Sequence, residues 1–542
     1  MAPPTPTSSA ITVAARVDHL WLPLLPDERW WGGAVADGQR MPFGVTAHRR
    51  NLAASAGFLL PGDDTHGCNQ SAPLLVSNRG RYIWSEEAFT FTFAFDGGGV
   101  LTVDGADVVI GAAAGPDCGT LAGAFRSASR RHFPASGAAP ASAMFAAPQY
   151  NTWIEMPHAP TQDGVLAYVR GLLDAGFPPG VVMIDDRWSP AYGTWRFEPS
   201  RFPGAADMIR QLHAWGCAVM LWLVPFVSPD SDTFRDLRER GLLVRDVDGA
   251  PAIRLWWNGY SAVLDATNPE AVAWLHAELD ALVDVDGVDG FKFDAGDIYD
   301  YRPDDLTAAG VDPAGQCEAW ARAGLRYPFN EYRACWKMGG QPLAQRLHDK
   351  PPIWGPGGLS SLIPESIAQG LIGHVFVCPD MVGGGELSVF DSAGFSLDQE
   401  LFVRYAQVAA LFPMMQFSLS PWRVLDPEHL AAVLAAVRLH QDLVPEILEL
   451  AQHAATTGEP ILRAMAYQFP GSGVRGYEHV SDQFLLGENI LAAPVLEPGA
   501  LTRTVVLPPG RWVGPGGAGF DGPGSIVLDV DLMSVPWFRR ET

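Results

Sequence analysis

The stretch "GFKFDAGD", residues 290–297, contains the pattern that decides the fold. Side chains of an extended strand alternate between its two faces, so Phe291 and Phe293 share one face. Lys292 and Asp294 share the other. Burying a lysine together with an aspartate is costly unless the two pair or take part in chemistry. The stretch therefore predicts a buried strand that carries two charged side chains to a functional edge.

Apolar strands of this kind alternate with helical segments over about 300 residues. The helical pattern "AADMIRQLHAWGC" precedes "AVMLWLVPF", and "PEAVAWLHAELDALV" precedes the strand of Lys292. Such alternation is typical of a parallel sheet covered by helices. Several strand candidates end in carboxylates, namely Asp185, Asp186, Asp294 and Asp380. We therefore predict an α/β fold, a (β/α)₈ TIM barrel over residues 146–455, because strand ends form the reactive face of such a barrel. An open doubly wound sheet is the alternative, but no phosphate-binding turn accompanies it.

The regions on either side of the barrel have a different pattern. Residues 1–145 contain alternating runs such as "FTFTFAFDGGGVLTVDGADVVIG", which predict an N-terminal β-sandwich. Residues 127–144 have the composition of a loop and mark the boundary. In residues 456–542, strands broken by Pro and Gly predict a small C-terminal β domain of the sandwich type.

Composition narrows the class of protein and of partner. The chain has 542 residues and a net charge of −24, which argues against a nucleic-acid or anionic-membrane partner. The sequence contains no run of about eighteen apolar residues, so it predicts no membrane span. The N-terminus lacks the pattern of a secretion signal, so we expect a cytoplasmic location. The six cysteines have no CxxC spacing and fit reduced thiols. A homo-oligomer is compatible with these features.

Two interpretations of Lys292 and Asp294 are open. They can form a structural ion pair, or Asp294 can be a nucleophile that Lys292 keeps ionised. The convergence of several strand-end acids favours the second. Glycoside cleavage needs two opposed carboxylates. Asp349 in "QRLHDKPPIWG", just before the strand candidate "PIW", is the candidate for the second one.

Tryptophans lie near the predicted strand ends, where their flat rings suit the apolar faces of sugars. They are Trp153, Trp188, Trp222, Trp256, Trp257, Trp336 and Trp354.

The segments "VVMIDDRWSPAYGTWRFEPSRFPGAADMIRQLHAWG", "GFKFDAGD" and "GEPILRAMAYQF" resemble glycoside hydrolase family 31. "IRLWWNGYSAVLDATNP" and "SLIPESIAQGLIGHVFVCPDMVGG" look most like the branch that contains the myogenesis-regulating glycosidases and bacterial α-galactosidases. The resemblance implies a β-sandwich, a (β/α)₈ barrel and a C-terminal β domain. It also implies a retaining α-glycosidase that needs no metal or organic cofactor and acts on a small-molecule carbohydrate.

The resemblance assigns roles to individual residues. Asp294 stands at the family's nucleophile position. The acid/base is an aspartate five residues before a tryptophan, which matches Asp349 and Trp354. An arginine sixteen residues before the acid/base contacts the sugar, and Arg333 has that spacing. Further substrate-binding residues are predicted at Asp185, Asp186, Trp257, Lys292, Trp336 and Asp380.

The sequence departs from the family pattern in two places, of which the first concerns the acid/base and the second the specificity. Asp349 stands between His348 and Lys350, whereas the family usually has Gly before the acid/base or an acid after it. The Arg-Asn-His element of many family α-glucosidases is missing, and "MMQFSLSPWR" stands in its region. We therefore expect an α-galactosidase-like enzyme. α-Glucosidase, α-xylosidase, sulfoquinovosidase and transglycosylase activities remain alternatives, as does a catalytically silent carbohydrate-binding protein.

Overall fold

The computed structural model describes residues 16–54, 68–471 and 476–541. In the N-terminal part, seven strands and one short strand from the barrel region form an eight-stranded sheet. The predicted hairpin forms between β6 and β7, which pair antiparallel. The strands of this part are β1 (Val17–Pro23), β2 (Trp30–Ala34), β3 (His48–Asn51), β4 (Gln70–Ser77), β5 (Arg81–Trp84), β6 (Thr90–Ala94) and β7 (Val100–Ala112).

Two helices follow this sheet, α1 (Leu121–His132) and α2 (Ala143–Ala146). Thr120 caps α1 by accepting a hydrogen bond from the backbone N–H of Gly123, and the apolar face of the helix is buried. The prediction of a loop over residues 127–144 is therefore wrong for its first six residues, which are the last turns of α1, and for its last two, which begin α2. The pattern of small and basic residues there conceals a helix that is held by packing rather than by propensity.

The strands from residue 149 to residue 417 include the barrel. They are β8 (Gln149–Asn151), β9 (Val181–Ile184), β10 (Ala218–Leu223), β11 (Phe226–Val227), β12 (Ile253–Trp256), β13 (Gly259–Val263), β14 (Gly290–Phe293), β15 (Phe329–Tyr332), β16 (Cys335–Trp336), β17 (Gln345–Arg346), β18 (Val377–Cys378) and β19 (Gln416–Phe417). Eight of them pair in parallel in the order β19-β8-β9-β10-β14-β15-β17-β18. The backbone N–H of Val382, after β18, donates to the carbonyl of Gln416 in β19 at 2.8 Å, which joins the two ends of the sheet. The predicted parallel α/β barrel is confirmed.

Helices cover this sheet from outside. They are α3 (Gln162–Asp174), α4 (Ala205–Ala214), α5 (Asp232–Glu239), α6 (Pro269–Ala281), α7 (Pro313–Gly324), α8 (Leu362–Leu371), α9 (Leu387–Phe390), α10 (Gln399–Ala409), α11 (Pro421–Val424) and α12 (Pro427–Thr457). The connection from β15 to β17 contains β16 instead of a helix. β16 pairs in parallel with the start of β4, so this connection ties the barrel to the N-terminal sheet.

The alternation predicted for β14 is confirmed. The rings of Phe291 and Phe293 lie on the helix side of the sheet, 4.8 Å from Tyr327 and 5.5 Å from Trp320 respectively. Lys292, on the opposite face, is buried inside the barrel. The strand candidate "PIW" at residues 352–354 is wrong, because β17 already occupies that place in the sheet and the two prolines before Ile353 cannot donate to a ladder.

The C-terminal part is an antiparallel sheet of six strands in the order β20-β21-β22-β25-β23-β24. Its own apolar core is centred on Leu485, Leu491, Trp512 and Phe538. The elements are β20 (Leu462–Arg463), α13 (Met465–Gln468), β21 (Phe484–Leu486), β22 (Ile490–Ala492), β23 (Thr502–Val513), β24 (Gly519–Asp529) and β25 (Trp537–Arg540). The boundaries at 145/146 and 455/456 stay predictions. Within the described ranges, every helix is too short or too polar to cross a membrane.

Candidate active site

Three buried carboxylates mark the carboxyl ends of the barrel strands. Asp185 directly follows β9, Asp294 directly follows β14, and Asp380 comes two residues after β18. Their residues are all at least nine-tenths buried. Since parallel strands end on one face of the barrel, these side chains and the loops around them form a single site.

Lys292 connects two of these acids. Its Nζ donates to Asp185 Oδ2 at 2.7 Å and lies 3.9 Å from Asp294 Oδ2. Burial lowers the pKa of Lys292, but the charges of Asp185 and Asp294 outweigh it and the pKa is raised. Lys292 is therefore a charged group whose nearest partner is Asp185. The simple Lys292–Asp294 pair suggested by the sequence is only the longer of its two contacts.

Asp294 is surrounded by donors and cations. Arg333 Nε lies 2.8 Å from its Oδ1, and Trp222 Nε1 donates to its Oδ2 at 2.7 Å. Burial alone would raise the pKa of Asp294, but the charges of Arg333 and Lys292 and the Trp222 hydrogen bond hold it well below its usual range. Asp294 is therefore an ionised carboxylate in a buried site, the state that a nucleophile requires.

The backbone after Asp294 is in an unusual conformation. Ala295 has a φ of 51°, in the left-handed region, and its N–H donates back to Asp294 Oδ1 at 2.8 Å. At Gly296, with a φ of 71°, an added Cβ would lie 2.4 Å from Cδ1 of Trp320. The glycine of "FDAG" is therefore required by a close approach, and the turn fixes one oxygen of Asp294.

Arg333 directly follows β15 and is held on several sides. Besides Asp294, its Nη2 donates to Asp297 and, at 3.3 Å, to the hydroxyl of Tyr299. Its guanidinium carbon lies 4.8 Å from the ring centre of Trp257, which is a cation–π distance. The structure thus places Arg333 directly beside the candidate nucleophile and Trp257, also predicted to bind sugar, against Arg333.

Asp349 lies in the loop after β17 and meets the site through Arg346. Arg346 Nη1 lies 2.9 Å from Asp349 Oδ1 and 2.7 Å from Asp380 Oδ1. The Asp349 side chain is 28% exposed, whereas that of Arg346 is 1% exposed. Burial lowers the pKa of Arg333 and of Arg346, but the neighbouring carboxylates outweigh it and raise both pKa values, and Asp294 and Asp349 are among these carboxylates for each arginine. The two candidate catalytic acids therefore lie around the same two arginines, and Asp349 is the more open.

Asp380 and Lys350 shape the loop that carries Asp349. The backbone N–H of Lys350 donates to Asp380 Oδ2 at 2.6 Å, and its buried Nζ donates to Glu365 of α8. Burial raises the pKa of Asp380 to about 7, the charge of Asp349 adds to this, and Arg346 opposes it. The unusual Lys350 after the acid/base position is thus half of a buried ion pair that fixes this loop.

Asp185 and Asp186 face different partners. Asp185 contacts Lys292 in the barrel interior, whereas Asp186 accepts from Asn258 Nδ2 at 2.7 Å and from the Tyr192 hydroxyl at 3.1 Å. Burial, and then the neighbouring Asp185 charge, raise the pKa of Asp186 to about 6. Which of the two contacts a sugar stays a prediction.

The two tryptophans predicted to bind substrate lie in different environments. Trp257 is 46% exposed and borders the site through Arg333. Trp336 is 2% exposed and belongs to β16, where it pairs with Ser71 of β4. The structure does not bring Trp336 to the carboxylates, because the connection after β15 turns toward the N-terminal sheet. Its sugar-binding role stays a prediction that this burial does not favour.

Sequence reasoning missed several residues of this site. The sequence motifs do not point to Arg346, and they mark Trp222 only as one of a group of aromatic residues. Gln70, at the start of β4, donates from Nε2 to the backbone carbonyls of Arg333, at 2.9 Å, and of Arg346. Arg346 could have been found by its place at a strand end. No local signal marks Gln70, because its role depends on how the N-terminal sheet meets the barrel.

The described ranges hold no group of three or more His, Cys, Asp or Glu side chains placed to bind a metal ion. The acids of the site are instead matched by the side chains of Lys292, Arg333 and Arg346. The arrangement suits chemistry by paired carboxylates.

Comparisons with known proteins agree with this geometry. The chain is 37% identical over 422 residues to the myogenesis-regulating glycosidase of Mus musculus, covering 76% of this chain and 58% of that protein. It is 25% identical over 369 residues to the sulfoquinovosidase of Escherichia coli K12, covering 64% and 53% respectively. The chain thus spans less than two thirds of the length of these relatives.

The fold also matches solved structures. A Flavobacterium johnsoniae GH31 dextranase complexed with glucose superposes with a TM-score of 0.83 at 18% identity, covering 96% of this chain and 66% of that one. The model of the glycosyl hydrolases family 31 TIM-barrel domain matches residues 140–337, and that of the family's C-terminal domain matches residues 458–541. Together the two models match just over half of the chain. The chain belongs to glycosyl hydrolase family 31, a family of O-glycosyl hydrolases.

Proposed function

We propose that this chain is a retaining exo-α-glycosidase in which Asp294 is the nucleophile and Asp349 the acid/base. The observation that carries the proposal is the environment of Asp294, a buried carboxylate kept ionised by Arg333 at 2.8 Å and Lys292 at 3.9 Å. The same arginine lies within the electrostatic reach of Asp349. A structural ion pair does not need a second acid in this position.

In the first step, an oxygen of Asp294 attacks the anomeric carbon of the sugar. The bond from that carbon to the leaving oxygen breaks, and protonated Asp349 gives its proton to that oxygen. The product is a β-glycosyl ester of Asp294 and a free alcohol. Arg333, which pairs with the carboxylate beforehand, remains beside the ester oxygen.

In the second step, deprotonated Asp349 takes a proton from water. The water oxygen attacks the anomeric carbon, the ester bond breaks, and Asp294 becomes a carboxylate again. Two inversions return the sugar in its α form. The 28% exposure of the Asp349 side chain suits this role, since the acid/base must meet both the leaving group and solvent.

The sugar we propose is an α-galactoside. Support comes from the stretch at residues 414–423, which lacks the Arg-Asn-His element of many family α-glucosidases. Its polar side chains form hydrogen bonds inside the protein instead. Gln416 Nε2 donates to Glu331 Oε2 at 2.5 Å, and Ser418 Oγ accepts from the N–H of Ile154 at 2.6 Å. This leaves the hydroxyl-binding groups to other loops of the barrel face.

The proposal is tested with 4-nitrophenyl α-glycosides of galactose, glucose, xylose and sulfoquinovose. We expect the α-galactoside to have the highest kcat/KM, and NMR of the first-formed product to show the α-anomer. A β-anomer would exclude the retaining mechanism. Sugar binding without turnover of any member would support the carbohydrate-binding alternative instead.

A further inference from the structure

An apolar strip covers the outer face of the hairpin formed by β12 and β13. Four large apolar side chains are exposed there: Ile253 by 40%, Leu255 by 67%, Trp257 by 46% and Tyr260 by 67%. Ile253, Leu255 and Trp257 are two residues apart and point to one side, and Tyr260 is the cross-strand partner of Leu255. We call these four residues the hairpin strip.

The opposite face of the hairpin is firmly anchored. Arg254 forms an ion pair with Asp305, and its Nε donates to the carbonyl of Asp300 at 3.2 Å. The ring of Trp256 packs 4.5 Å from that of Phe226. The exposed apolar face therefore belongs to an ordered element and is displayed in a fixed position.

One end of the hairpin strip is a wall of the active site. The ring centre of Trp257 lies 4.8 Å from the guanidinium carbon of Arg333. The Nε of the same arginine lies 2.8 Å from Asp294 Oδ1. The next residue, Asn258, donates to Asp186 at 2.7 Å. The strip therefore extends from Arg333, beside the candidate nucleophile, to the exposed face of the hairpin.

The size of the strip indicates what can cover it. At these exposures the four side chains offer about 400 Å² of apolar surface. A stable protein–protein interface buries about 800 Å² on each partner, roughly twice as much. The strip is too small for a second copy of the chain by itself, but it suits an apolar chain of ligand size.

We propose that the hairpin strip binds an apolar leaving group, an alkyl or aryl aglycone joined to the α-linked sugar. This inference rests on the proposed function, because it places the sugar between Asp294 and Asp349. The leaving oxygen points from the anomeric carbon toward Asp349 during attack. Arg333, against which Trp257 packs, lies beside Asp294 and within the electrostatic reach of Asp349, so the end of the strip lies beside both acids. The aglycone then packs on Trp257 and Leu255 and displaces water from their apolar surfaces.

The test uses methyl, butyl and hexyl α-galactosides, whose leaving alcohols have similar acidity, so that only apolar area changes. A fully buried methylene is worth about fourfold in binding, and a half-covered one less. We expect kcat/KM to rise at least about tenfold from methyl to hexyl in the wild-type protein. The double variant Leu255→Ser/Tyr260→Ser should reduce this rise to below about threefold while leaving the methyl galactoside unaffected.

Leu501→Ser is the matched control, because Leu501 is 76% exposed and lies in the C-terminal part. This control should keep the full increase in kcat/KM from the methyl to the hexyl galactoside. The inference is overturned if the wild-type protein shows no such increase, or if the double variant keeps it. So does a light-scattering result in which the double variant dissociates a dimer without changing the chain-length dependence, since the strip would then join two copies.

Failure of the proposed function is seen separately, as a lack of turnover of every galactoside. In that case calorimetry on the Asp294→Asn variant decides the inference by comparing methyl and hexyl α-galactoside. Tighter binding of the hexyl compound, lost in Leu255→Ser/Tyr260→Ser, supports an apolar site. Equal affinity, or binding of neither, overturns it.

Discussion

Lys292 Nζ lies 2.7 Å from Asp185 Oδ2, although Lys292 belongs to β14 and Asp185 follows β9, and β10 lies between these two strands. This ion pair crosses the barrel interior and leaves Lys292 at 3.9 Å from Asp294. Asp294 therefore depends on Arg333 as its nearest cation, with Lys292 as a second, shared charge. The candidate nucleophile is supported by a network rather than by one partner.

Replacing Asp349 with alanine should separate good from poor leaving groups. Loss of a general acid costs about 10²–10⁴-fold, so alkyl glycosides should lose that much in kcat/KM. Activated aryl glycosides, which need little protonation, should lose far less. Azide should restore turnover of aryl glycosides and give the α-glycosyl azide, because it attacks the β-glycosyl ester with inversion. Equal losses for both classes would move the acid/base role away from Asp349.

Trp222→Phe should alter the pH profile of the enzyme. The indole N–H donates to Asp294 Oδ2 at 2.7 Å, and loss of a donor to an ionised carboxylate raises its pKa. We expect the acid limb of kcat/KM to move upward by about one to two pH units, since hydrogen bonds to charged groups contribute about 1.5–3 kcal/mol. Trp512→Phe is the control, because it removes a buried indole hydrogen bond to the carbonyl of Pro508 in the C-terminal sheet. An unmoved acid limb in Trp222→Phe would contradict the assignment.

Asp186→Asn should change stability in a pH-dependent way. Burial raises the pKa of Asp186 in the folded protein from 3.8 to about 6. The group favours folding most while it is protonated, and this contribution is lost as the pH rises from about 4 through about 6. The side chain of the Asn variant does not ionise, so the variant does not lose this contribution. Its free energy of unfolding relative to wild type should therefore be about 1 kcal/mol greater at pH 8 than at pH 5. Thermal unfolding of both proteins at the two pH values measures this, and a pH-independent difference would show that Asp186 is not the titrating group.

The Lys350–Glu365 pair is suited to a double-mutant cycle. Each single variant, Lys350→Met or Glu365→Gln, leaves one buried charge without its opposite charge and should cost about 3–5 kcal/mol. The double variant should cost less than the sum by about 1–3 kcal/mol. Denaturant unfolding gives these values. Additive losses would mean that the pair does not hold the loop of Asp349.

Much of this site follows from local patterns in the sequence. The alternation in "GFKF" places Lys292 inside the barrel, and the rule that parallel strands end on one face gathers Asp185, Asp294 and Asp380. Both arguments need only the neighbours along the chain. They hold because a buried strand leaves little freedom in which way its side chains point.

Other features depend on contacts between distant segments. That Lys292 prefers Asp185 follows from strand order, and that Trp336 is buried follows from the pairing of β16 with β4. Gln70 contacts the backbone of both active-site arginines across an interface between the N-terminal sheet and the barrel. No periodicity or spacing within one segment contains this information, so sequence reasoning could not supply it.

The central claim is that Asp294 forms a covalent bond to the sugar. A 5-fluoro-α-galactosyl fluoride slows both chemical steps and has a good leaving group, so the glycosyl-enzyme should accumulate. Digestion and mass spectrometry should then find the fluorosugar on the peptide that contains Asp294, and on no peptide of the Asp294→Ala variant. A fluorosugar attached to Asp349, Asp185 or any other carboxylate would contradict the mechanism.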